Sequence, residues 1–232
     1  MEIIFDGIKK AFILISNLNS EVSDVTLLSI KVSGIATIVS VFFGILIGAF
    51  LALTNFPGRR ILVALVNTGM GVPPVVVGLV ITMFLWRNGP FGFLEILYTP
   101  WAIILAQILI ATPIVSGITL AGIQHVPGKL KIQIKALGAT RIQFVLLLLR
   151  ETRFSLFAAT MAGFGGVISE VGASMMVGGN IKGYTRVLTT ATVLETSRGN
   201  FDMAMALSVI LFCLTFIINQ LLTFVQQRER RK

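Results

Sequence analysis

Four stretches of this chain run for 22 to 26 residues without a charged side chain: Val32 to Leu53, Ile61 to Trp86, Pro100 to Gln124 and Met203 to Gln227. A helix needs about 20 apolar residues to cross the hydrocarbon of a bilayer, and in lipid only a helix or a closed barrel satisfies its own backbone. A fifth run, Phe154 to Ser169, meets Glu170 and continues apolar to about Val177. The fold class is therefore all-α integral membrane, with five transmembrane helices. Composition agrees, since 12% charged residues is about half of what soluble chains carry.

The distribution of Lys and Arg orients these spans. Segments 54–60, 125–153 and 226–232 hold 12 of the 19 basic residues in 43 positions, whereas 1–31, 87–99 and 170–202 hold 7 in 77. The first set is cytoplasmic by this rule, which puts the N-terminus outside and the basic tail 228–232 inside. Residues 1–24, with Glu2, Asp6, Lys9 and Lys10, lack the charged-then-apolar order of a signal peptide. They read as an interfacial helix, with a sixth membrane-inserted helix as the alternative, ahead of a transmembrane domain over 25–227.

Small residues and helix breakers run through the spans. Gly44 and Gly48 form a small-xxx-small pair, suited to close packing within the chain or to a dimer contact. Gly69, Gly71, Pro73 and Pro74 interrupt the second span and predict a bend that must be buried in the bundle. Pro113 predicts a kink in the third.

In the longest basic segment, 125–153, Pro127-Gly128 ends the third span. Lys129 to Leu137 then reads as a short helix with Leu130, Ile134 and Leu137 on one face, opposite Lys131 and Lys135. Gly138-Ala139-Thr140 breaks it, and Thr140 is placed to cap a second helix, Arg141 to Leu149. Two short, partly apolar helices joined at a glycine make either a docking knob or a loop facing anionic lipid.

Ala136-Leu137-Gly138-Ala139-Thr140, with Phe144 six residues beyond the glycine, resembles the coupling loop of ABC-importer permeases. In that family the loop inserts into a cleft on the ATPase subunit. Here Ile132-Gln133-Ile134 replaces the usual Glu-Ala-Ala, and Glu151 stands where a proline is usual. Gly71-Val72-Pro73-Pro74-Val75-Val76-Val77-Gly78, with Arg87-Asn88-Gly89-Pro90-Phe91-Gly92, resembles the second span of the molybdate/sulfate branch, and Gln107 to Pro113 its third. Ser169-Glu170-Val171-Gly172-Ala173 and Gly178-Gly179-Asn180, continuing into Gly183-Tyr184-Thr185-Arg186, resemble most the tungstate-importer permeases of that branch. The resemblance covers about residues 25–225. It implies a type I ABC-importer permease fold in the cell membrane. The chain would work as a homodimer, fed by an extracytoplasmic anion-binding protein and driven by a cytoplasmic ABC ATPase dimer docked on 128–150. Lys129, Ile134, Ala136, Leu137, Gly138, Ala139 and Thr140 are the expected coupling residues. Cofactors are expected only on the partner, as ATP and Mg.

The chemistry of the candidate pathway can be read from its residues. Ala159, Ala162, Gly163, Gly166, Glu170 and Ala173 recur at spacings of three and four, giving a small-residue face with one acid. A charge at the centre of a span costs about 2.5–3.5 kcal/mol on insertion scales, so Glu170 must face protein or water. Two readings are open: a gate or dimer contact lining a pathway with Gly166, or a structural acid paired with a backbone donor or a loop cation. Beyond it, Asn180, Lys182, Thr185 and Arg186 offer donors and cations suited to a tetrahedral dianion, with Thr189, Thr190 and Thr192 extending the hydroxyl supply. The alternative for this segment is an ordinary glycine-rich loop.

Other functions lack their residues. There is no Gly-x-x-x-x-Gly-Lys-Ser/Thr phosphate loop, so ATP hydrolysis by that route is excluded for this chain. One histidine, His125, and one cysteine, Cys213, are too few for a metal or redox anchor. The basic residues sit between apolar runs, which argues against nucleic acid. The reading is a permease subunit for a tetrahedral oxyanion, tungstate first, with molybdate or sulfate as alternatives. A stand-alone carrier or channel is the rival class.

Overall fold

The computed structural model describes residues 20–230, with Lys9 and Ile13 ahead of them; at positions 229 and 230 the description is of the backbone alone. The interfacial helix expected over 1–24 therefore lies largely outside the described residues, and positions 20–24 belong to the first long helix. The described residues form helices joined by short loops, with no strand among them.

α1 (Ser20–Leu53) spans 34 residues, about 51 Å at 1.5 Å per residue. It starts twelve residues before the uncharged run at Val32, a difference with a simple cause. Freedom from charge measures contact with lipid, whereas helix needs only the absence of breakers, and no glycine or proline interrupts 20–33. α2 (Arg59–Gly71) and α3 (Pro74–Leu85) follow, bent by 106°. Val72 and Pro73 are extended and Pro74 opens α3, so the prolines end one helix and begin the next. This corrects the expectation of a span buried throughout. No residue of α2 is buried, and in α3 only Gly78, Ile81 and Leu85 are.

A short turn at Gly92–Leu94 leads to α4 (Pro100–Gln124), which runs through Pro113 as one helix. α4 is the hub, packing against α1, α2, α3 and the α7 and α8 helices described next. Ala102, Ile103, Ala106, Ala111, Val115 and Ile123 on it are fully buried. α5 (Gly128–Ala136) and α6 (Arg141–Glu151) form a helical pair beyond its end. α7 (Arg153–Ile168) and α8 (Gly172–Gly178) are bent by 56° at Glu170. α9 (Leu188–Ser197) packs on α10 (Phe201–Arg230), whose outer side exposes Phe212, Phe216, Leu221 and Phe224. Three described helices are long and apolar enough to cross a membrane, and five spans result if each bent pair counts as one.

Small residues set the approach of these helices. A Cβ on Gly44 would lie 2.6 Å from Val115 Cβ, and one on Gly48 2.6 Å from the Ser116 carbonyl, so this pair seats α1 against α4 of the same chain. Likewise a Cβ on Gly78 would lie 2.6 Å from Ala173 Cα, which brings α3 onto α8. Gly34, by contrast, has nothing within 4 Å of its Cβ position. Gly48→Val is expected to push α1 off α4 and destabilise the detergent-purified protein by about 1–3 kcal/mol. Gly34→Ala should leave its melting temperature unchanged or raise it, by up to about 1 kcal/mol of helix propensity. Thermal unfolding of both variants checks this pairing; equal losses would contradict it.

Candidate functional site

The break between α7 and α8 puts Glu170, the one acid of the apolar run 154–177, inside the fold. Glu170 is 5% exposed, and its Oε1 accepts the Ala173 N–H at 2.6 Å. A helix that restarts mid-span leaves its first N–H groups without carbonyl partners, and a carboxylate ahead of them supplies acceptors. The other side of the break is closed in the same way. Glu170 N–H and the Gln107 side-chain amide of α4 both reach the Val167 carbonyl, at 3.2 and 3.3 Å, while Thr189 Oγ1 donates to the Glu170 carbonyl at 3.0 Å. Of the two readings left open for Glu170, the structure supplies the backbone donor, on the acid's own chain.

The small-residue face of α7 is used for packing within the chain. A Cβ on Gly163 would meet Val115 at 2.8 Å, and one on Gly166 would meet Ile114 at 3.2 Å, both on α4. Periodicity identified the face, but small residues fit a neighbouring helix of the same chain as well as a second copy.

Residues 179–187 form a loop knitted by its own hydroxyls. Gly179, Asn180 and Gly183 take positive φ of 69°, 50° and 74°, turning the chain back on itself. Thr185 Oγ1 donates to the Gly178 carbonyl at 2.5 Å and accepts Ile181 N–H at 2.9 Å. Asn180 Nδ2 reaches the Thr190 carbonyl at 3.4 Å, and Thr190 Oγ1 accepts the Val187 N–H at 3.1 Å. Ser29 of α1 accepts Leu188 N–H at 2.8 Å, and Tyr98 N–H donates to the Val177 carbonyl at 2.8 Å. The hydroxyls expected to supply a pathway thus hold backbone together.

The cations of this loop have a partner that sequence reasoning missed. Glu21, in the first turn of α1, bridges Lys182 Nζ at 2.8 Å and Arg186 Nη1 at 3.5 Å. Arg186 is nearly covered, with 12% of its side chain exposed. The one available signal was that Glu21 and both cations lay in segments assigned to the same side. So Glu170 and Thr189 share the break, Asn180, Thr185 and Arg186 share the adjacent loop, and Gly166 lies apart against α4.

At the other end, α5 and α6 appear nearly as expected. Gly138 has φ +78° between them, a conformation suited to glycine. Thr140 Oγ1 accepts the Gln143 N–H at 3.3 Å while Gln143 Oε1 accepts the Thr140 N–H at 2.8 Å, a reciprocal cap. Ile134, Leu148 and Val126 form a small core, flanked by Leu130 and Phe144. Leu137 leaves the face assigned to it. It follows the last turn of α5 and is 87% exposed, beside Ile132 at 69% and Ile142 at 74%. Of the expected coupling residues, Lys129, Ala136, Leu137, Gly138 and Thr140 are exposed, Ala139 is half-buried and Ile134 is buried. Ile142, at the start of α6, is an exposed apolar residue the sequence reading passed over.

Comparison with known proteins accords with this arrangement. The chain is 38% identical to the tungstate uptake system permease protein TupB of Peptoclostridium acidaminophilum, over 98% of this chain and 100% of that protein. It is 34% identical to TupB of Campylobacter jejuni, over 95% and 94%, and 29% identical to the molybdenum transport system permease protein ModB of Escherichia coli, over 88% and 94%. Among solved structures, a bacterial ABC transporter that imports alginate matches with a TM-score of 0.74 at 16% identity, over 93% of this chain and 82% of that one. The MetNI methionine ABC transporter matches at 0.69 and 18%, over 93% and 97%. The fold is thus that of ABC-importer membrane subunits. Residues 44–231 match the family model for the binding-protein-dependent transport system inner membrane component, and the chain belongs to that family as a membrane transport subunit.

Proposed function

We propose that this chain is the permease subunit of an ATP-driven importer for a tetrahedral oxyanion, with tungstate as its cargo. The observation that carries this is full-length similarity, at 38% identity, to a tungstate uptake permease. Molybdate and sulfate permeases are similar at 29% or less, so those anions rank behind.

In this reading each bent helix pair is one span, giving five. The Lys/Arg asymmetry puts the 179–187 loop and the start of α1 outside and α5–α6 in the cytoplasm. A homodimer would build one pathway between two copies, with the Glu170 break and the loop of Asn180, Thr185, Arg186 and Thr189 at its outer part. Glu170 suits a gate better than a ligand, because a carboxylate repels an anion. An extracytoplasmic binding protein delivers cargo, and a separate ATPase pair, carrying ATP and Mg, engages α5–α6. Ile132, Leu137 and Ile142 offer apolar contacts there, with Lys129, Lys135 and Arg141 also exposed on the same pair. Binding protein and ATP each favour a different state of the bundle, and the difference in affinity at each end drives alternating access.

Two measurements test this proposal. Uptake into cells expressing the chain with its ATPase and binding protein, with tungstate, molybdate and sulfate competing at equal concentration, should favour tungstate and require ATP. Preference for molybdate or sulfate would displace the cargo assignment, and uptake without the ATPase would overturn the class. Separately, Leu137→Glu removes an exposed apolar contact, and Gly138→Asp places a side chain at positive φ. Both should insert into the membrane yet lose most ATPase on co-purification. Wild-type recovery of the ATPase with both variants would remove α5–α6 as the docking element.

A further inference from the structure

Where α1 begins, a cleft of about 640 Å³ opens between that helix and the 179–187 loop. Three cations, Lys31, Lys182 and Arg186, line it with two acids, Glu21 and Asp24, and Tyr184. One carboxylate serves two of the cations, with Glu21 Oε2 on Lys182 and Oε1 on Arg186. Arg186 is anchored deep in the wall, and among the described residues its buried Nε has no hydrogen-bond acceptor. A guanidinium in the wall of a cleft, only loosely held by its carboxylate at 3.5 Å, can take the oxygen of another anion in its place.

We propose that this cleft is an acceptor site for a tetrahedral dianion and that Glu21 is its built-in occupant, displaced when the anion arrives. The inference rests on the oxyanion-import reading above. Two oxygens of a tetrahedral anion can bridge Lys182 and Arg186 as the two carboxylate oxygens do. A dianion also carries twice the charge of the carboxylate it replaces. The Lys182–Glu21 contact opens readily, since its side chains are 66% and 45% exposed and such pairs hold weakly. Once the anion has moved on, the returning carboxylate refills the two-cation cradle and disfavours reverse entry. Glu21 thus does the work that the sequence reading left to the cations alone.

The test is direct binding of radiolabelled tungstate to the purified permease–ATPase complex in nanodiscs, without binding protein. Glu21→Gln should tighten binding at least tenfold over wild type, and adding Lys182→Gln to that variant should cancel the gain. Unchanged affinity in Glu21→Gln would overturn the proposal and leave the ion pairs a purely structural tie. Should Glu21→Gln fail to assemble, Glu21→Asp decides: its shorter carboxylate should give a smaller gain, and no gain would overturn the site. Molybdate and sulfate are measured in parallel. A gain for one of these in place of tungstate supports the site and moves the cargo. Absence of ATP-dependent oxyanion uptake by the wild-type importer would instead defeat the underlying function, independently of the Glu21 result.

Discussion

Much of this structure depends on one carboxylate, that of Glu170, which accepts the Ala173 N–H at a break in an apolar run. Within lipid, each backbone group that lacks a partner costs several kcal/mol. The break between α7 and α8 opens several such groups, and the fold answers each from a different element. Glu170 takes the Ala173 N–H, Gln107 of α4 takes the Val167 carbonyl, and Thr189 takes the Glu170 carbonyl. The break is therefore held between the central helix and the segment following the 179–187 loop. A bend secured this way connects α9, which follows the 179–187 loop, to α7, and α7 follows α6 with only Thr152 between them.

That continuity gives the proposed mechanism a physical route. Movement at α5–α6 must pass into α7 and α4, because α7 packs its glycine face on α4 and α4 touches most of the bundle. At the far end, Thr189 ties α9 to the break, Ser29 ties α1 to the start of α9, and the Glu21 bridge ties α1 to the 179–187 loop. The bundle has few loose joints along this path, so binding at one end and docking at the other can favour different arrangements of the same contacts.

How much of this could be read from the sequence depends on whether the controlling contact was local. The α5–α6 pair was legible because its signals lie within a few residues: Pro127-Gly128 ends a helix, Gly138 turns, and Thr140 with Gln143 makes a cap. The break at Pro73-Pro74 was legible for the same reason, whereas the one near Glu170 was not: the small-residue spacing from Ala159 to Ala173 reads as one continuous face, and the helix stops at Ile168 and restarts at Gly172. Long-range choices were not legible either. Nothing in the run 20–31 tells that Glu21 meets Lys182, 161 residues away. Small-residue spacing on α7 marks a special face without naming its partner, which proves to be α4. Leu137 falls on the apolar side by periodicity, yet the helix ends just before it and the side chain points outward. The uncharged run at Val32 likewise underestimates α1, because charge reports the lipid boundary and not the helix.

The central claim, that Glu170 holds the break by accepting the Ala173 N–H, is tested most directly by comparing Glu170→Gln with Glu170→Leu. The glutamine keeps a side-chain oxygen at the right reach, whereas leucine leaves the Ala173 N–H buried and unpaired at a cost of about 1–3 kcal/mol. Thermal unfolding of the purified complex should place Glu170→Gln near wild type and Glu170→Leu clearly below it. A Glu170→Leu protein as stable as wild type would contradict the account.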